Sequence, residues 1–168
     1  SNHPSVSKLL TLAENADEEM FNEILERVRS TDGSKCPVVG LTGTGGAGKS
    51  SLTDELMLRI QRDNPGTKIA LLATDPTRKR TGGALLGDRI RMNSLSDENL
   101  FMRSFASRDS GREIADCIGR SIEACKAVGF DLVIVETSGI GQGNDAITEV
   151  ADLSLYVTTR EYGAPSQL

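Results

Sequence analysis

Eight consecutive residues, Gly43-Thr44-Gly45-Gly46-Ala47-Gly48-Lys49-Ser50, fit the spacing G-x-x-x-x-G-K-[ST]. Backbone N–H groups can converge on one anion only where the chain adopts φ/ψ values that glycine tolerates. A helix opening near Gly48 would aim further unpaired N–H groups, and the positive end of its dipole, at the same anion. Gly45, Gly46, Ala47 and Gly48 would then cradle a polyphosphate. Lys49 would supply a compact positive charge for the β- and γ-phosphates. Ser50 would offer a hydroxyl to Mg²⁺ and Ser51 another to the α-phosphate. The competing reading is a glycine-rich turn with a solvated lysine. It does not account for the buried-strand pattern of Val38–Thr42 on one side, or for the helix-opening Ser51-Leu52-Thr53-Asp54-Glu55-Leu56 on the other. A nucleotide site is expected here.

The remaining chemistry should come from the ends of neighbouring strands, where ligands of open α/β sheets collect. Glu136 ends the apolar run Leu132–Val135, and Gly139 follows three residues later. A charge terminating a buried strand is costly unless paired or metal-bound. An acid so placed, with that glycine, resembles the third motif of P-loop GTPases, which implies a metal-orienting carboxylate and a glycine N–H for the γ-phosphate. Asp75 ends the run Ile69–Thr74 and precedes Pro76, so it is either a metal ligand or a turn starter. Asp88 lies in the glycine-interrupted segment 82–89, where it faces the alternative of a surface ion-pair cluster with Arg80, Arg89 or Arg91. Gln142 falls in Gly139-Ile140-Gly141-Gln142-Gly143, a candidate mobile loop carrying a water-positioning or switch residue. The basic run Arg78-Lys79-Arg80 is either a solvated face or a source of positive charge for the triphosphate.

These side chains need a scaffold, and the hydropathy pattern supplies one. Short apolar runs at Val38–Thr42, Ile69–Thr74, Leu132–Thr137 and Leu153–Thr158, with a weaker one at Leu100–Phe105, read as strands covered on both faces. Between them lie helical patterns at Lys49–Arg62, Ala84–Leu95 and Arg112–Val128. The alternation implies an α/β fold with a mostly parallel sheet flanked by helices. Cys117 and Cys125 fall on the apolar stripe of the last helix and read as inert core residues. Ahead of this domain (36–168), residues 1–35 read as a helical extension or linker. Val6, Leu9, Leu10 and Ala13 form one stripe there. Met20, Phe21, Ile24, Leu25 and Val28 form a second, with a break at Asn15–Asp17.

Composition narrows the function classes. The chain has 168 residues, with 19 basic and 24 acidic side chains giving a net charge of −5, and only 4% aromatic residues. That balance disfavours non-specific nucleic-acid binding. No apolar run approaches the roughly 20 residues that span a bilayer, so no membrane partner is expected. Three cysteines without CxxC spacing, and one histidine (His3), give no disulfide framework and no zinc or Ser-His site. A cytoplasmic location follows as the expectation.

Taken in order, the loop 43–50, Asp75-Pro76-Thr77, the segment Thr81–Met92 and Glu136-Thr137-Ser138-Gly139-Ile140-Gly141-Gln142 resemble the GTPase chaperones of adenosylcobalamin-dependent acyl-CoA mutases. That family carries Glu in its third motif, as here. The Glu-Thr-Ser-Gly form, with Tyr156–Thr159 and Glu161–Ala164, looks closer to the G-domain built into fused isobutyryl-CoA mutases. The resemblance covers about residues 36–168. It implies a P-loop fold and Mg²⁺-dependent hydrolysis of GTP to GDP and phosphate, coupled to loading or protection of a mutase's cobalamin. It also implies that Ser50, Asp75, Asp88 and Glu136 surround Mg²⁺ directly or through water, with Lys49 on the phosphates and Gln142 in a switch. The partner mutase, fused or separate, would hold the adenosylcobalamin. No Asn/Thr-Lys-x-Asp tetrapeptide for guanine recognition occurs in the chain. A piece of a longer polypeptide is therefore expected, with a sheet edge able to pair two copies. Read from the residues alone, an ATP-dependent small-molecule kinase, a nickel-delivery GTPase and a nucleotide-dependent interaction module stay open as alternatives.

Overall fold

A computed structural model describes residues 3–29, 36–75, 98–106, 111–137 and 144–159. Its element order is α1 (His3–Asn15), α2 (Glu18–Val28), β1 (Val38–Gly43), α3 (Lys49–Asp63), β2 (Ile69–Asp75), β3 (Leu100–Ala106), α4 (Gly111–Ala127), β4 (Leu132–Glu136), α5 (Asn144–Val150) and β5 (Leu153–Val157). The five strands form one parallel sheet in the order β3-β2-β4-β1-β5. All five expected strands are present. The helical pattern expected at 84–95 lies outside the described residues. Helix α5 was not foreseen: a seven-residue helix gives too few turns for an apolar stripe to register.

Strand alternation splits the core into two layers. Ala70, Leu72, Val133 and Val135 point to the face covered by α1, α2 and α4, while Ile69, Leu71 and Ile134 point to the face that holds Met57 of α3. The N-terminal helices belong to the first layer. Val6, Leu9, Leu10 and Ala13 are all buried there, as are Phe21 and Leu25 of α2, whereas Met20 and Val28 are exposed. Asp17 separates the two helices by capping α2, its side chain accepting from the Met20 N–H at 2.8 Å. Polar ties hold α1 to the domain: Arg103 of β3 pairs with Glu14 at 2.5 Å, and Arg120 of α4 donates to the Ala16 carbonyl at 2.9 Å.

Two aspartates pin the strand starts. The Val38 N–H donates to Asp152 Oδ2 at 2.7 Å while the Asp152 N–H donates back to the Val38 carbonyl at 2.9 Å. Asp131 makes the same reciprocal pair with Lys68, both at 2.8 Å. These pins set β1 against β5 and β2 against β4. The resulting register places Glu136 opposite Leu41 of β1 and Ala73 of β2, at the C-terminal edge of the sheet. Strand β5 departs from the expectation of two covered faces. It is an edge strand, with Leu153 and Tyr156 more than half exposed. Among the described residues, no helix is long and apolar enough to cross a membrane.

Candidate functional site

The loop between β1 and α3 leaves the sheet between β4 and β5, at the edge where parallel strands end. Gly43 starts it at φ 142°, and a Cβ there would fall 1.9 Å from the Val157 carbonyl oxygen. No side chain fits between β1 and β5 at that point. Gly48 is the N-cap of α3 at φ 87° in the left-handed region, with no side-chain cap. The first intrahelical bond at this end runs from the Leu52 N–H to the Gly48 carbonyl at 2.9 Å, so the N–H groups of Lys49, Ser50 and Ser51 form the uncapped turn. A Cβ at Gly45, Gly46 or Gly48 would meet nothing within 4 Å, so the loop borders open space. The Ala47 N–H is engaged inside the loop, donating to the Thr44 carbonyl at 3.2 Å. Open glycines beside an uncapped helix N-terminus are the backbone arrangement that suits an anion.

Lys49 is buried along the loop, and its Nζ donates to the carbonyls of Gly43 at 2.9 Å and Thr44 at 3.0 Å. An ammonium has three protons. Two hold the loop, which leaves one for a ligand. Ser50, exposed on the first turn of α3, donates to Glu136 Oε1 at 2.6 Å. Glu136 itself is only 8% exposed. Its other oxygen lies 3.3 Å from Thr53 Oγ1, and the Thr74 hydroxyl reaches its backbone carbonyl at 3.4 Å. The Thr137 N–H donates to the Leu41 carbonyl at 3.0 Å, continuing the β1–β4 ladder one step past the acid. The Thr44 and Thr137 hydroxyl oxygens beside the site are buried without a hydrogen-bond partner.

The structure thus brings Gly45, Gly46, Ala47, Gly48, Lys49, Ser50 and Glu136 to one corner, with Ser51 exposed beside them. The backbone of Asp75 ends β2, two residues beyond the one paired with Glu136, while its side chain lies outside the described residues. Asp88, Gln142, Gly139 and the run 78–80 also lie outside them. Among the described residues, no three His, Cys, Asp or Glu side chains gather into a metal-holding group. The hydroxyl and carboxylate that do meet are hard oxygen donors, the set that suits Mg²⁺. Thr53 was missed by sequence reasoning, although its spacing carried a signal. Three positions after Ser50, it shares that residue's helix face.

The cysteines stand apart from this corner. Burial pushes the Cys36 thiol up to about 11 and raises Cys117 and Cys125 as well, so all three favour the unreactive protonated form.

Comparison with known proteins completes the picture. The family model described as "Methylmalonyl Co-A mutase-associated GTPase MeaB" matches residues 6–167. The chain belongs to the MeaB family. The fused isobutyryl-CoA mutase of Geobacillus kaustophilus is 53% identical over 171 residues, and that of Cupriavidus metallidurans 53% over 167, each alignment covering 98% of this chain. The chain spans only 16% and 15% of those relatives' lengths. Among solved structures, a LAO/AO transport system kinase superposes with a TM-score of 0.66 at 24% identity, covering 93% of this chain and 45% of its own. That likeness concerns the fold, which is the P-loop nucleoside-triphosphatase architecture expected from the sequence. The MeaB match begins within α1 and takes in α2 along with the 43–50 loop, in line with the helices' place in the core.

Proposed function

We propose that this MeaB-family domain binds GTP at the 43–50 loop, hydrolyses it to GDP and phosphate with Mg²⁺, and thereby governs cofactor loading or protection in a cobalamin-dependent acyl-CoA mutase, fused or separate. The observation that carries the proposal is the 2.6 Å contact between Ser50 and Glu136 beside an open glycine cradle. Family membership and the fused-mutase relatives support the choice of guanine nucleotide and of partner.

In this reading the free N–H groups of the cradle and of the first turn of α3 receive phosphate oxygens. Lys49 keeps the loop's shape through two carbonyls and turns its remaining proton to the β/γ-phosphates. Ser50 and Glu136 would hold the cation, joined by Asp75, whose backbone ends β2, and by Asp88. When bound, Mg²⁺ neutralises charge on the phosphates as the γ-phosphoryl group is transferred to water. Gly139 and Gln142, following Glu136, serve the γ-phosphate and the attacking water.

The test is phosphate release from GTP and from ATP by the chain, with and without Mg²⁺ and with an isobutyryl-CoA mutase added. Mg²⁺-dependent release from GTP that changes when the mutase is present is the expected result. Turnover of ATP without a GTP response would replace the proposal with the kinase reading.

A further inference from the structure

Glu136 receives two hydroxyl donors from one helix face, and their surroundings differ. Ser50 is exposed, and its hydroxyl, which donates to Glu136 Oε1, can turn to a ligand on the solvent side. Thr53 is fully buried, at 0% exposure, and its hydroxyl has two acceptors within reach: the Lys49 carbonyl at 3.0 Å and Glu136 Oε2 at 3.3 Å. One O–H proton serves one acceptor well at a time. An ionised carboxylate is the stronger acceptor, and the Lys49 carbonyl offers a resting position one helical turn back.

We infer that Thr53 is a positioning residue for Glu136. Its enclosed hydroxyl holds Oε2 in place when the Ser50 hydroxyl leaves Oε1 to join a divalent cation, so that the carboxylate keeps the orientation the cation needs. The inference rests on the reading of Glu136 and Ser50 as cation-holding groups. It assigns a role to a residue outside the G-x-x-x-x-G-K-[ST] motif. The geometry explains the residue type: the hydroxyl sits on the Ser50 face, one turn deeper, where the side chain is fully buried and a short hydroxyl reaches Glu136. Carboxylates that ligate metals are characteristically held by outer partners of this kind, and loss of such a partner weakens metal binding by about 10- to 100-fold.

The experiment uses Mn²⁺ as the probe. Its binding to the full chain saturated with GDP is read from loss of the free-ion electron paramagnetic resonance signal, and GDP affinity is measured separately in EDTA. Thr53→Val keeps the shape and removes the donor. It should weaken Mn²⁺ binding about 10-fold while leaving GDP affinity in EDTA unchanged. Thr53→Ser, which restores the hydroxyl, should bind Mn²⁺ as the parent does. Parental Mn²⁺ affinity in Thr53→Val, or an equal loss in Thr53→Ser, would overturn the inference, because the methyl group and not the hydroxyl would then matter. Glu136→Gln separates the two levels of the claim. If it weakens Mn²⁺ binding while Thr53→Val does not, only the role of Thr53 fails. If Glu136→Gln leaves Mn²⁺ affinity intact, the cation reading of the site falls and takes the inference with it. Should the valine variant not melt cooperatively, Thr53→Ala is expected to show the same Mn²⁺ deficit.

Discussion

The two ends of one sheet hold carboxylates in opposite ways. At the N-terminal end, Asp131 and Asp152 accept backbone N–H groups and return their own N–H groups to the same residues. Those donors cannot rotate away, so the carboxylates act as pins that set register. At the C-terminal end, Glu136 closes β4 buried against α3, with the side-chain hydroxyls of Ser50 and Thr53 within hydrogen-bond reach. A hydroxyl can turn to another acceptor, and Ser50 sits where a ligand would arrive. The same functional group is structural where its donors are fixed and becomes available to chemistry where they are movable. Fixing the first end is what allows the second to be precise in space, because the register set by the pins puts Glu136 level with Leu41 and Ala73.

Substitutions can break or sharpen that contrast. The largest effect belongs to the open end: Lys49→Ala removes a buried charge-assisted donor and should weaken GDP binding by about 100-fold, roughly 3 kcal/mol, in a calorimetric titration. Next is Gly43→Ala, where a methyl group meets the Val157 carbonyl and the backbone sits at φ 142°. Thermal unfolding should show a loss of about 2 kcal/mol, because the methyl group would meet backbone atoms and not a flexible side chain. Asp152→Ala removes a pin. Its side chain is exposed, so the loss should be only about 1 kcal/mol in urea unfolding, with GDP affinity unchanged per folded molecule. The smallest effect concerns Cys36, just before β1. Its folded pKa of about 11 lies above the ordinary 9.0, so the folded state favours the protonated thiol. That stability is fully present below pH 9 and declines as pH rises towards 11. Cys36→Ala should flatten the decline in a series of melts across that range.

Much of this was legible in the chain, and particular residues show why. The loop 43–50 is readable because Gly43, Gly46 and Gly48 each answer a local backbone demand, a positive φ. The inner strands are readable because parallel strands buried on both faces leave continuous apolar runs. Tyr156 and Leu153 misled for the same reason: an apolar run does not say which strand ends at an edge. Asp131 and Asp152 each precede an apolar run directly, a placement with a clear purpose only once the partner strand is known. Thr53 looks neutral on a helix, and its value appears when the register of β4 brings Glu136 beside it. Close approaches between elements distant in sequence were the illegible part.

The contrast between the two ends is tested most directly by measuring phosphate release from GTP for Glu136→Gln and Asp152→Ala side by side, with melting curves for both. Glu136→Gln should lose about 100-fold in turnover while melting as the parent does, since its hydroxyl partners tolerate the amide. Asp152→Ala should melt earlier and hydrolyse GTP at the parental rate per folded molecule. Parental turnover in Glu136→Gln, or a loss of hydrolysis in Asp152→Ala beyond its loss of folded protein, would contradict the division between a pinned end and a working end.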